Sequence, residues 1–547
     1  MKLKYFILAA LAMPVFTACE DLDTAPEGAM LTEDQKVEIG EAKPERAEAG
    51  VRGIFSQFNV YMPNYEALGN VSRHNDFGYS SIMFFTDCNT EDVVSGDNGY
   101  NWGGNSLTFD DRPYTSRESQ IVWNDYYKIV FSANTVISSL DAESEDPLTQ
   151  YYLGQALAAR GFCYLELAQL YQFNYKGHEQ SPCVPVITDE NSSEAAANGA
   201  PRATVTEVYE QVEKDLTLAI NLLTQAQVAG QKRSDRRYVD AAVVYGLRAR
   251  MNLAMQNWSA AAADAQAAID ATDARPATIA EVSKPTFCNA NEPNWMWAIY
   301  IAETDDVVQS GIVNWISHCG TFNYGYGQYS GGHQISKKLY NSISDTDIRK
   351  GWWSDAIGYC QNLDEEWNAY LQETFSPTDK QKAQGIVATP YQNCKFAPYQ
   401  SVLNNDVNAN DIPLMRVEEM YLILAEAQAK AGQDGKGTLE QFVRTYRDPS
   451  YTCQGDVQNE VYRQKRIELW GEGRIWFDMM RLNKGIDRRG AGYEPQCVLN
   501  IPAGDPILLW RLPQTEINGN SALTDADNND AVPVPTAVDD IDDMPLQ

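Results

Sequence analysis

The sequence predicts a mostly α-helical protein in which paired helices form a scaffold for a loop-rich ligand-binding region. Three observations carry that expectation. Apolar residues recur at spacings of three and four through residues 153–268 and again from residue 417. Two of these stripes are joined only by the short link Gln256-Asn257. Between the helical regions lies a long stretch, residues 273–412, that is rich in Trp, Tyr, Asn and Gly and poor in helical periods.

The chain begins with a targeting signal rather than with part of the fold. Lys2 and Lys4 precede an apolar run from Tyr5 to Met13, and Phe16-Thr17-Ala18-Cys19 follows. That run is far short of the ~20 apolar residues a membrane-spanning helix needs, so residues 1–18 read as a secretory signal peptide. A small residue directly before Cys19 resembles a bacterial lipobox, which implies cleavage before Cys19 and lipidation of that residue. The acidic start Glu20, Asp21 and Asp23 looks like the surface-export signal of Bacteroidota lipoproteins. Residues 19–50 then read as a lipidated acidic tether, and residues 51–547 as a single domain, with a helical part at about 51–272 and a loop-rich and C-terminal part at about 273–547. No other segment is apolar enough to span a membrane, so lipid is the expected anchor.

Each helix follows from its pattern. Leu153, Leu157, Gly161, Tyr164, Ala168 and Tyr171 fall on one face, and Gly161 on that face allows a close helix approach. Val205, Val208, Val212, Leu216, Ala219 and Leu223 repeat the pattern, with Thr204 or Thr206 as the cap and Glu207 in the first turn. Val244, Leu247, Met251 and Ala254 make a third stripe; Trp258, Ala261, Ala265 and Ala268 make a fourth. A helix, a tight turn and a helix that sets a large aromatic before small alanines resembles a tetratricopeptide unit. One such pair cannot bury its own face, so further pairs must stack on it. Val417, Tyr421, Leu424 and Gln428 mark a helix ending at Gly432, and a long helix is expected from about Val457 to Asn483. The Asp- and Pro-rich tail from Ser521 reads as partly disordered.

Composition narrows function. A net charge of -32 repels phosphate backbones and anionic headgroups, so nucleic acid is not an expected partner. With Cys19 lipidated, nine cysteines remain, widely scattered and with no C-x-x-C; they read as small buried hydrophobes, with one or two disulfides left open by an oxidising compartment.

Several segments in order resemble one family. Cys19-Glu20-Asp21-Leu22-Asp23 with Pro26 is similar to the mature start of SusD-like proteins, and Ala156-Leu157-Ala158-Ala159-Arg160-Gly161-Phe162 to their early helix. Arg416-Val417-Glu418-Glu419-Met420-Tyr421 resembles a later helix of theirs. The most specific match runs from Arg466-Ile467-Glu468-Leu469-Trp470-Gly471-Glu472-Gly473-Arg474 to Arg481, and Arg511-Leu512-Pro513 with Glu516-Ile517-Asn518 resembles the terminal motif. The resemblance to the SusD/RagB family of outer-membrane nutrient-binding lipoproteins implies the SusD-like fold, a position on the extracellular face of the outer membrane, and a SusC-like TonB-dependent transporter as partner. It implies a binding protein, not an enzyme, that captures glycan and delivers it to that transporter.

The residues offer little catalysis. Glu468 and Glu472 lie four apart on one expected helix face, whereas a glycosidase needs two carboxylates opposed across a sugar. Arg474, Asp478 and Arg481 have ion-pair spacings, so this run reads as a packed, salt-bridged helix. The histidines His74, His178, His318 and His333 fit no zinc motif, and there is no G-x-S-x-G and no phosphate loop. No cofactor is expected. The run Asp525-Ala526-Asp527-Asn528-Asn529-Asp530 begins like a calcium loop, but Asp530 stands where the turn glycine belongs and Thr536 where the bidentate Glu belongs.

Aromatic loops are the better site candidates. Flat rings cover the weakly apolar faces of sugars while amides bond the hydroxyls. Tyr100, Asn101 and Trp102 have this character, near the place where family members carry ligand-facing tryptophans. Trp315, Tyr324, Tyr326 and Tyr329 complete the candidate set, the tyrosines alternating with glycines that let the chain bend. Trp295, Trp297, Trp352 and Trp353 are assigned to packing. Two other readings stay open: a peptide-binding member of the same family, and a secreted carbohydrate-active enzyme.

Overall fold

The computed structural model describes residues 46–96 and 102–546. The signal peptide, Cys19 and most of the tether therefore lie outside the described residues, as do Tyr100 and Asn101.

The helices form as their stripes require. After α1 (Ala47–Ser56), α2 (Tyr79–Asn89) and α3 (Arg117–Ile137), the long α4 (Pro147–Tyr171) lies along α5 (Val205–Val228). Gly161 of α4 sits against Leu216 of α5 with no room for a Cβ, which is the close approach expected there. Beside it, Arg160 sends Nε and Nη2 to the two carboxylate oxygens of Asp215, each at 2.8 Å, and Nη1 to Asn134 of α3 at 2.7 Å. The three helices are thus tied by one buried guanidinium as well as by apolar packing. Thr204, not Thr206, caps α5, in a reciprocal capping box with Glu207.

The fourth and fifth of these long helices lead into the pair α6 (Ala241–Ala254) and α7 (Trp258–Ala271). Its outer face is closed by α10 (Val417–Lys430), introduced after two short helices of the loop region, α8 (Trp315–Cys319) and α9 (Tyr326–Tyr329). Helices α11 (Gly435–Tyr446) and α12 (Val457–Glu468) pack on α10 in turn. Stacking neighbours buries what one pair cannot, as the repeat argument demands.

The expected single helix from Val457 to Asn483 is instead two, α12 and α13 (Ile475–Arg481). The break is at Gly471 and Gly473, with φ of 75° and 68°. That left-handed backbone cannot continue an α-helix and strongly favours glycine. The turn is pressed into the core: a Cβ on Gly473 would lie 2.6 Å from Met83 of α2.

Residues 273–412 contain short helices and two strands rather than long periods. β1 (Val93–Ser95) pairs antiparallel with β3 (His333–Ile335), and β2 (Trp295–Ile299) with β4 (Ile412–Arg416). The β1–β3 pairing matters for the site, because it ties the chain just before Trp102 to the chain just after Tyr329. Trp295, Trp297, Trp352 and Trp353 are all buried. All nine cysteines among the described residues are free thiols, and Cys288 alone of them is more than marginally accessible.

The tail from Ser521 is a second correction. It is held along the domain: Asn529 donates to the carbonyls of Tyr171 and Trp510 at 2.9 and 2.7 Å, Arg202 donates to the Asp527 carbonyl, and Val538 donates to the Val498 carbonyl. Three of those four partners are backbone carbonyls of the domain and the fourth is the Arg202 guanidinium, so an acidic composition does not keep this segment loose. The segment that resembles a calcium loop is a single tight turn, in which Asp527 is engaged by Thr524.

Candidate functional site: an aromatic face

Four of the candidate rings fall into two pairs. In the first, the rings of Trp102 and Tyr326 meet edge to face with centroids 6.0 Å apart. His74 joins them: it stacks on Trp102 at 4.9 Å, and its Nδ1 lies 2.5 Å from the Tyr326 hydroxyl. The Arg73 guanidinium sits 4.9 Å from the centre of the Trp102 ring. All four side chains are partly buried.

Buried polar groups set the position of this group. Asn75 donates to the Trp102 carbonyl at 3.0 Å and to Glu118 at 3.2 Å, and Glu118 also holds Arg73. Below Tyr326 lies His318, 5.1 Å away, with Phe77 and Phe84 beneath it. Burial pushes the His318 imidazole down to about 3, so this floor is neutral. Burial, with Arg73 adding to it, also lowers His74, so the stacked imidazole is uncharged at neutral pH.

The second group is Tyr324 and Tyr329, whose rings meet edge to face at 5.8 Å. They are 39% and 51% exposed, the most open of the candidate rings among the described residues. Gln328 between them donates to the Tyr370 hydroxyl at 3.0 Å. The glycine at 325 works by close approach rather than by bending: a Cβ there would lie 2.5 Å from Ser317, whose hydroxyl accepts the Tyr326 N–H.

Trp315 falls outside the face. It is 1% exposed and meets Phe396 edge-on at 5.0 Å, so it is a core residue with no ring face left for a ligand. Sequence reading also missed His74 and Arg73. By residue type His74 suggests only a metal ligand; the signal the sequence carries is the polar run Arg73-His74-Asn75-Asp76 directly before Phe77.

The carboxylates of the motif at 466–481 do not form a cleft. Glu468 receives Arg447, Arg416 and Arg349, and Glu472 receives Arg416 and Lys395. Both are buried and ion-paired. Arg481 pairs with Asp478 as its spacing suggested, but Arg474 pairs with Glu166 of α4 instead.

Comparison with known proteins gives the lineage. Residues 73–251 match a family model described as starch-binding proteins associating with the outer membrane, and residues 310–529 match the SusD family model. The chain belongs to the SusD/RagB family. A SusD-like protein P2 of Formosa agariphila is 24% identical over 427 residues, 73% of this chain and 78% of that protein. Among solved structures, a SusD-like carbohydrate binding protein of Bacteroides vulgatus superposes with a TM-score of 0.70 at 21% identity, covering 89% of this chain and 98% of that one. Surface glycan-binding protein A of Bacteroides thetaiotaomicron, solved with laminarihexaose, gives 0.60 at 16% identity, covering 89% and 99%. These likenesses establish the SusD-like fold for this chain. Among the described residues no helix is long and apolar enough to cross a membrane.

Proposed function

We propose that this SusD-like protein is a non-catalytic surface lipoprotein that binds oligosaccharide or polysaccharide on the aromatic face and delivers it to a SusC-like TonB-dependent transporter. The observation that carries the reading is the meeting of Trp102, His74 and Tyr326, residues remote in sequence that a buried polar frame holds together beside the exposed Tyr324 and Tyr329. Rings fixed before the ligand arrives lose little freedom on binding. The partly buried Trp102 group serves as a wall, and Tyr324 and Tyr329 as the open platform on which a sugar stacks.

Anchoring would be through lipid on Cys19, with residues 19–50 as the tether and residues 51–547 as one domain. The glycan bound by the Bacteroides thetaiotaomicron relative supports a sugar ligand over a peptide. The buried, paired state of Glu468 and Glu472 supports binding over hydrolysis.

The test is affinity electrophoresis of the intact protein on a panel of polysaccharides, with a reducing-end assay on the same substrates. Retardation by at least one glycan without release of reducing ends is expected. Sustained release of reducing ends, or retardation by none while peptides bind, would overturn the reading.

A further inference from the structure

A second site lies away from the aromatic face. A cavity of about 740 Å³ opens between the segment at Lys337–Asn341, helix α12 and the last described residues of the chain, 543–546. Its size falls in the range of small-ligand sites. Its charge runs against the molecule. In a chain of net charge -32, this cavity is lined by five cations, Lys337, Lys338, Lys484, Arg463 and Arg466, against three carboxylates, Asp456, Glu460 and Asp543, of which Asp456 is engaged in capping α12.

The arginines are spoken for. Arg463 pairs with Glu460, and Arg466 lies in the core against Asp92. The lysines are not neutralised in the same way. Lys338 spends its ammonium on the Asp487 carbonyl, 2.5 Å away. Lys484 rests 5.0 Å from the Tyr462 ring centre, and among the described residues its ammonium has no hydrogen-bond or ion-pair partner. Burial and the nearby Arg466 lower its pKa, as an unpaired, half-buried ammonium requires. Lys337 is paired, but only with Asp543 of the tail, at 3.0 Å, and that aspartate is 85% exposed.

We infer that this cavity binds a carboxylate-bearing saccharide, a uronic acid unit, and that Asp543 occupies the carboxylate position in its absence. Asp543 already shows that a carboxylate fits against Lys337. Lys484 offers the second charge, and lysines recognise an anion as point charges without demanding a fixed fork geometry. Asn341, Gln454 and Asn459 line the same cavity with exposed amides, which suit sugar hydroxyls. The site shares no residue with the aromatic face and stands whether or not that face binds glycan.

The experiment is calorimetric titration of the full chain with tri-galacturonate, with a neutral trisaccharide and with sodium sulfate. Three proteins are compared: the unaltered chain, Lys484→Gln and Asp543→Asn, each checked for an unchanged unfolding temperature. The unaltered chain should bind tri-galacturonate and not the neutral trisaccharide at this site. Lys484→Gln should weaken that binding at least tenfold, and Asp543→Asn should strengthen it two- to fivefold. Should Lys484→Gln fail to fold, Lys337→Gln at the cavity rim takes its place with the same expected loss. Equal binding in all variants, or binding of sulfate with none of the uronate, would overturn the inference. Loss of neutral-glycan retardation in aromatic-face variants bears on the other site alone.

Discussion

Arg447 grips Glu468 with two parallel bonds, Nε to Oε2 and Nη2 to Oε1, each at 2.8 Å, and both side chains are fully buried. This pair is the centre of a larger junction. Four cations, Arg349, Lys395, Arg416 and Arg447, meet four carboxylates, Asp347, Glu418, Glu468 and Glu472. The balance explains how so many charges survive burial. Burial alone would raise the Glu468 carboxyl, but Arg447, Arg416 and Arg349 outweigh it and hold it well below the usual range.

Glu468→Gln should therefore destabilise strongly. It keeps the shape but leaves buried guanidinium charge uncompensated, at a cost of about 3–5 kcal/mol. Urea unfolding monitored by tryptophan fluorescence checks it. A loss under about 1 kcal/mol would mean that the junction relaxes around the change.

Gly473→Ala should cost about 1–3 kcal/mol or more, because its φ of 68° strains any side chain and its Cβ would strike Met83. Gly53→Ala is the control, since nothing lies within 4 Å of a Cβ there. Thermal unfolding should separate the two clearly.

The pH dependence has a definite sign. Asp87 is buried, accepts the Gly473 N–H at 2.9 Å, and is pushed up to about 8, chiefly by burial. An unfolded Asp titrates near ~3.9, so between about pH 4 and 8 the folded state holds a proton that the unfolded state has lost. This contribution is complete below the unfolded value and disappears as pH rises through the folded one. Stability should fall across that window by up to ~1.4 kcal/mol per pH unit from this group, and Asp87→Asn should flatten the profile between pH 5 and 8. An identical slope in both proteins would remove Asp87 from the account.

His74→Ala should loosen the aromatic wall without unfolding the domain. His74 stacks on Trp102 and contacts the Tyr326 hydroxyl, so its loss should weaken glycan binding by about three- to tenfold, the range of one aromatic contact. The stacked imidazole is already neutral at pH 7, so binding by the unaltered protein should be flat from pH 7 to 8.

The helices were legible because their apolar spacing is local information. Stripes at Leu153–Tyr171, Val205–Leu223 and Val244–Ala268 read directly onto α4 to α7. The break at Gly471 and Gly473 was harder to see, since a fully buried segment shows no polar face to lose phase. Trp102 and Tyr326 could be chosen by residue type and neighbours, but their contact depends on the β1–β3 pairing, which joins three-residue strands too short to carry a period. Trp315 had the same composition around it and lies in the core, because what decides exposure there is the packing of Phe396 from a distant segment. His74 was invisible for the same reason: its meaning is a contact with residue 326.

The most direct test of the central claim is affinity electrophoresis of Trp102→Ala, Tyr326→Ala and Tyr329→Ala on the glycan that retards the unaltered protein best, with circular dichroism as a folding check. All three should fold, and each should lose most of its retardation. Native-like spectra together with undiminished retardation in all three would contradict it.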